Sequence, residues 1–326
     1  PVENYKNLFF GEPEWMPMGI ETSFFCPAVI PDNVARGFVF AANRPDPKDF
    51  GGKDMFGIEW EYVPLVGGSM VRPGKPFMED ANEWYDKLVW PDIDSWDWEG
   101  DAKINEQFLN NGKANMLWLL NGAWYERLIS FMDFEGAAMA VIDEDQKDAV
   151  KALLNKVYET VYVPYLENVA KYFPQIKKVS LHDDWGAQRS GFFSLATAME
   201  MFVPIMQKFA AKCKELGLIF ELHSCGKNDE LVPAYIEAGV QTWNGMYMND
   251  KRNLFNLYGD KIVLGVDVPA IATDANASKE EIEAAAKEYC EFFIRDGKCH
   301  AIANLRGTVP YFNECVYRIS REMLNA

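Results

Sequence analysis

The sequence is short of positive charge, of cysteine, of histidine and of long apolar runs, and each shortage excludes something. Lys and Arg number 32 against 49 Asp and Glu, a net charge of −17. A surface that negative repels phosphate backbones and anionic lipid, so neither nucleic acid nor a membrane is expected as a partner. No apolar run approaches the ~18 residues a spanning helix needs. The opening Pro1-Val2-Glu3-Asn4 does not read as a signal peptide. Six cysteines in 326 residues fall far below the density of a disulfide scaffold. They read as reduced thiols of a cytoplasmic protein, some of them free to bind metal. No Gly-x-Gly-x-x-Gly turn follows an early apolar run, which weakens a dinucleotide fold. No repeat of fixed period is visible. What is abundant is core material, with 49% hydrophobic and 14% aromatic residues. The length suits two ordinary domains or one decorated α/β barrel.

The C-terminal half repeats one pattern, an apolar run of strand length followed by an amphipathic helix. Strands are expected at 178–182, 218–223, 241–246, 262–267 and 300–305, with helices near 194–216, 230–238, 252–258, 279–294 and 311–324. Ser278 followed by Glu281 is a capping box for the fourth helix. Strands alternating with single helices imply parallel pairing. Earlier candidates at 15–21, 115–120 and 138–142 bring the strand total near eight. The fold expected is α/β, a (β/α)8 TIM barrel with an N-terminal rim insertion, in one domain over 1–326. The insertion is residues 51–98, rich in Gly, Pro and Trp and without helical period, which reads as a small β layer or lid.

In such a barrel the chemistry sits where the strands end. Those ends carry Glu21, His182-Asp183-Asp184-Trp185, His223-Ser224-Cys225-Gly226, Asn244, Asp267 and Asn304. Only three histidines occur, and two of them are in this set. Strand alternation puts His223 and Cys225 on the same side, and imidazole and thiolate both ligate zinc. A hydrogen-bonded histidine beside a buried cysteine would give the same two-residue pattern. Of the adjacent carboxylates Asp183 and Asp184 only one can point inward while its neighbour caps a turn. The inward one could act as general acid, base, metal ligand or substrate anchor. Trp185 could wall an apolar substrate.

These pieces together resemble the uroporphyrinogen decarboxylase superfamily, and within it the cobalamin-dependent methyltransferase branch, O-demethylase methyltransferase I included. The resemblance runs over most of the chain and rests on five signposts. They are Lys53-Asp54-Met55-Phe56-Gly57-Ile58-Glu59-Trp60, His182-Asp183-Asp184-Trp185-Gly186-Ala187-Gln188, Glu221-Leu222-His223-Ser224-Cys225-Gly226-Lys227, Glu237-Ala238-Gly239-Val240 and Leu264-Gly265-Val266-Asp267. The decarboxylase's N-terminal Arg-Gln-Ala-Gly-Arg-Tyr signature is absent, and Gly19-Ile20-Glu21-Thr22-Ser23-Phe24-Phe25-Cys26 follows the first apolar run instead. A decarboxylase, or a barrel that only binds a partner, is therefore the alternative.

What the resemblance implies is methyl transfer between a small methylated donor and the cob(I)alamin of a partner corrinoid protein. Zinc would act as Lewis acid on the heteroatom that holds the methyl. The chain has no Asp-x-His-x-x-Gly corrinoid motif, so the corrinoid would arrive on that partner. The family's metal pair carries onto His223 and Cys225. Cys299 has the spacing of the third ligand but sits at the start of the last strand, so either the register slips there, or an acid such as Glu21 or Asp184 completes the site, or zinc is absent. Asp184 is the expected catalytic carboxylate, with Glu21, Asp183, Trp185 and Gln188 toward the substrate. The aromatic load, with Trp60, Trp84, Trp90, Trp185 and Trp243 as candidates, points to an aryl methyl ether as donor.

Overall fold

The computed structural model describes residues 1–65, 67–119 and 122–326. In chain order the strands are β1 Thr22–Phe25, β2 Gly52–Lys53, β3 Glu59–Val63, β4 Gly68–Val71, β5 Ala114–Leu119, β6 Ile176–His182, β7 Ile219–Ser224, β8 Thr242–Gly245, β9 Val263–Asp267, β10 Ile294–Arg295, β11 Lys298–Cys299 and β12 Ala301–Asn304. The chain divides into two compact units, one holding residues 24–111 and 115–240, the other residues 1–23, 112–114 and 241–326.

In the larger unit the strands neighbour one another in the order β1-β5-β6-β7. β6 pairs in parallel with β5 on one side and β7 on the other, Leu117 facing Val179, Val179 facing Phe220, and His182 facing His223. Almost every residue of β6 is buried, as expected of a parallel strand inside an α/β unit. Helix Tyr125–Ala140 follows β5, Leu195–Met201 and Val203–Glu215 follow β6, and Val232–Glu237 follows β7. Within 51–98 lies a separate antiparallel sheet of order β2-β3-β4, with Trp60 opposite both Gly52 and Val71. In the smaller unit β8, β9 and β12 are parallel neighbours. Met18 adds a parallel bridge to Ala303 at the outer side of β12. The fold is the expected α/β barrel class, built from parallel βα units with an N-terminal excursion. No helix among the described residues is long and apolar enough to cross a membrane. All six cysteines are free thiols.

The five C-terminal strands lie within two residues of their expected positions, and Ser278 and Glu281 form the expected reciprocal cap. Four expectations differ. The segment 138–142 is the end of the helix Tyr125–Ala140, where Ala137, Ala140 and Val141 are buried at helical spacing. The segment 15–21 gives only the Met18 bridge and a 3-10 turn Gly19–Glu21, and β1 starts afterwards at Thr22. The single helix expected over 194–216 is two, broken at Phe202, because Pro204 lacks an N–H and sits only in a first turn. Cys299 lies in a short hairpin, β10–β11, turned by Asp296 and Gly297 at φ of 52° and 69°. The last residue of the strand expected at 115–120, Leu120, lies outside the described residues.

Lys251 is buried in the smaller unit, its Nζ donating to the carbonyls of Gly245 (2.7 Å) and Gly265 (3.2 Å), with the Asp267 carboxylate 4.0 Å away. Burial pulls its ammonium down to about 8, partly offset by Asp267. Between that value and its ordinary one the unfolded chain binds the extra proton. Stability therefore rises with pH across this window and is lost as pH falls through 8. Urea unfolding of wild type and Lys251→Met at pH 7.5 and pH 10 should show wild type gaining on the variant by up to about 2–3 kcal/mol. A pH-independent difference would contradict a buried ammonium.

Candidate metal centre

Four candidate ligands come together where β6 and β7 end. Register pairs His182 with His223, so the two imidazoles leave adjacent strands side by side and stack, centroids 5.1 Å apart and planes 26° apart. Each chain then turns, delivering Asp184 and Cys225. One ligand atom from each of His182, Asp184, His223 and Cys225 lies within 4.8 Å of the other three. Cys225 Sγ is 3.5 Å from His223 Nε2, and Asp184 Oδ1 is 3.7 Å from His182 Nε2. Tetrahedral zinc sets its ligand atoms about 3.3–3.8 Å apart, so a small contraction closes the group.

The two turns are locked together. The Cys225 N–H donates to Asp184 Oδ1 (2.7 Å), the Trp185 N–H to Ser224 Oγ (2.9 Å), and the Asp183 N–H to the His223 carbonyl (3.0 Å). Asn228 ties Ser224 Oγ and the Cys225 carbonyl from below. Gly226, at φ +89°, presses on Gly186 so closely that a Cβ there would lie 2.2 Å from the Gly186 carbonyl.

Asp183 and Asp184 divide their work as one inward and one capping carboxylate. Asp183 is fully buried and accepts from Tyr125 N (3.1 Å), Glu126 N (2.9 Å) and the Trp185 indole (2.6 Å). It thus caps the helix Tyr125–Ala140, so the capped helix is the one after β5. Burial, with the Glu126 charge nearby, pushes its carboxyl up to about 7 against those three donors. The capped turn carries Glu126, whose Oε2 lies 2.8 Å from His182 Nδ1 and whose Oε1 lies 3.8 Å from the Arg36 guanidinium. Burial works to raise the Glu126 carboxyl, but the His182 and Arg36 charges outweigh it and hold it at about 2. Burial also opposes charge on His182, yet Glu126 carries that imidazole well above its ordinary value. Burial raises the Cys225 thiol, with the His182 contact acting against it. A carboxylate on Nδ1 leaves Nε2 to face a cation, the usual arrangement of a metal-ligating histidine.

The other sequence candidates fall elsewhere. Trp185, expected to wall a substrate, is instead fully buried among Phe193, Phe202 and Tyr235 and serves Asp183. Trp60, Trp84 and Trp243 are buried as well. The aromatic face beside the cluster is Trp118, 6.0 Å from the His182 ring, with Phe24, Phe38 and Phe40 around it. Gln188 is exposed in the turn after Ala187. Glu21 belongs to the smaller unit, where its two oxygens accept from the Trp15 indole and the Met18 N–H, both at 2.9 Å. Cys299, in the same unit, is buried with its thiol on the Ala301 carbonyl. Of the three third-ligand candidates, Asp184 is the one in the cluster. Sequence reasoning passed over His182 as a ligand and missed Glu126 and Arg36.

No family model and no curated protein sequence matches the chain. Among solved structures it is similar to a methyltransferase from Methanosarcina mazei, at 14% identity and a TM-score of 0.62, over 100% of this chain and 99% of that one. That likeness shows a shared fold along the whole length. A D-psicose 3-epimerase solved with D-fructose, also 14% identical, matches 72% of this chain and 84% of its own at a TM-score of 0.33.

Gly226→Ala adds a Cβ against backbone at a positive φ. It should cost about 2–4 kcal/mol in urea unfolding and abolish binding of a divalent cation. A variant with wild-type stability and cation binding would show that the two turns are not locked as described.

Proposed function

We propose that the chain is a zinc-dependent methyltransferase that moves a methyl group from an aryl methyl ether to the cob(I)alamin of a partner corrinoid protein. The observation that carries this reading is the convergence of two imidazoles, a thiol and a carboxylate at the ends of β6 and β7. That donor set is one zinc takes readily. His182, His223, Cys225 and Asp184 would hold the ion, and a donor heteroatom would enter as a fifth ligand or by displacing one of them. Bound there, zinc supplies Lewis acidity to the heteroatom that carries the methyl group, making it a better leaving group. The full-length likeness to a methyltransferase fold supports the same class.

The chain's own residues do the rest. Glu126 accepts from His182 Nδ1, so Nε2 is the nitrogen that would face a cation once its proton has left. Asp184 Oδ1 accepts the Cys225 N–H, which holds the carboxylate beside the other three candidate ligands. The half-exposed Trp118, with exposed Phe24 and half-buried Phe38 and Phe40, offers flat apolar faces on which an aryl ring stacks beside the cluster.

Cob(I)alamin mixed with the protein and a methoxylated benzoate should convert to methylcobalamin, followed by its absorbance change. His223→Ala combined with Cys225→Ser should slow the conversion by about a hundred-fold or more, the value of a lost Lewis acid. A wild-type rate in that double variant would remove the metal from the account. Failure of every methyl ether, thioether and amine donor would remove the reaction.

A further inference from the structure

The excursion 51–98 reaches the metal cluster through a chain of side chains, all in the larger unit. Asp54 Oδ2 accepts from the Trp60 indole at 3.1 Å and from Arg127 Nη1 at 3.0 Å, while its Oδ1 accepts the N–H groups of Phe56 and Ile58 at 2.9 Å each. Arg127 is fully buried and pairs with Asp32 through its other terminal nitrogen. Trp60 is thereby fixed in plane and position. The Arg36 guanidinium lies over its ring, 5.1 Å from the centroid, and faces Glu126 at 3.8 Å. Glu126 in turn holds His182.

We propose that Arg36 and Trp60 are positioning residues for the metal centre: Trp60 holds the Arg36 guanidinium, Arg36 holds the Glu126 carboxylate, and Glu126 aims His182. The inference rests on the reading of His182, Asp184, His223 and Cys225 as ligands. Its physical basis is the cost of an unanswered charge. Glu126 is a buried carboxylate that divides its oxygens between His182 and Arg36. Without Arg36 that carboxylate loses the partner that fixes its second oxygen and is free to turn, so His182 is no longer held. Trp60 acts one step further out, because a guanidinium stacked on a ring keeps its plane. The β2-β3-β4 sheet would then be part of the metal centre's support.

Co(II) titration of the full chain, read by visible absorption, tests this. Arg36→Met should weaken Co(II) binding about ten-fold, the scale on which second partners of ligating histidines act. Arg36→Lys, which keeps the charge, should recover most of the loss, and Trp60→Leu should weaken binding by about three-fold. The decisive arm is the His182→Ala background, in which Arg36→Met should cost nothing further, since it acts only through His182. Equal losses with and without His182 would make Arg36 merely structural and overturn the proposal. Wild-type affinity in Arg36→Met would do the same. Should Arg36→Met fail to fold, Trp60→Leu decides, and wild-type affinity there contradicts the proposal. His223→Ala separates the two readings: if it binds Co(II) like wild type, the ligand assignment fails. If it loses the ion while Arg36→Met and Trp60→Leu keep it, only the positioning role fails.

Discussion

The arrangement depends on the register of β6 against β7. Parallel pairing that sets His182 beside His223 also sets the two following turns against each other, and those turns carry Asp184 and Cys225. A slip of one residue would send either histidine to the opposite face. Three features oppose the slip. Both strands are buried nearly throughout, Lys178 pairs with Glu221 across them at 2.6 Å, and Gly186 and Gly226 meet back to back. A buried ion pair between neighbouring strands costs desolvation, but in the wrong register its two charges would be left alone.

Electrostatics follows from that placement. Four ligand side chains in one poorly solvated spot include a carboxylate and a thiol, and Glu126 stands behind them. The nearby positive groups are His182 and Arg36, both drawn to Glu126. Burial alone would neutralise Glu126, yet its two basic neighbours keep it charged. A charged Glu126 then directs the His182 ring. The cluster thus combines soft and hard candidate donors with a second layer of charged groups, the arrangement that a site for a borderline cation would need.

Much of this was legible where the signal is local. The strand ends could be read because apolar runs stop there. His223 and Cys225 do converge as expected, though Cys225 is brought there by the turn after β7 and not by strand alternation. The capping box at Ser278 was legible because both halves of it lie within four residues. Two adjacent aspartates announced one inward and one capping carboxylate, though not that the capped helix follows β5. Glu126 was invisible because it comes from a helix start, and its position is set by Asp183, 57 residues away in sequence. Arg36 and Trp60 act through still longer paths, and nothing near either residue signals a charged partner. Trp185 was misread because a tryptophan beside a site looks the same in sequence whether it faces the site or lies beneath it. The strand expected at 138–142 failed because a short apolar run carries no period of its own.

The central claim is that these side chains grip one cation, with a single sulfur among the donors. X-ray absorption at the zinc edge, on protein loaded with one equivalent, measures that directly. The account predicts one sulfur at about 2.3 Å and a shell of nitrogen and oxygen at about 2.0–2.1 Å, with imidazole multiple scattering. A shell of oxygen alone, with neither sulfur nor imidazole, would contradict it.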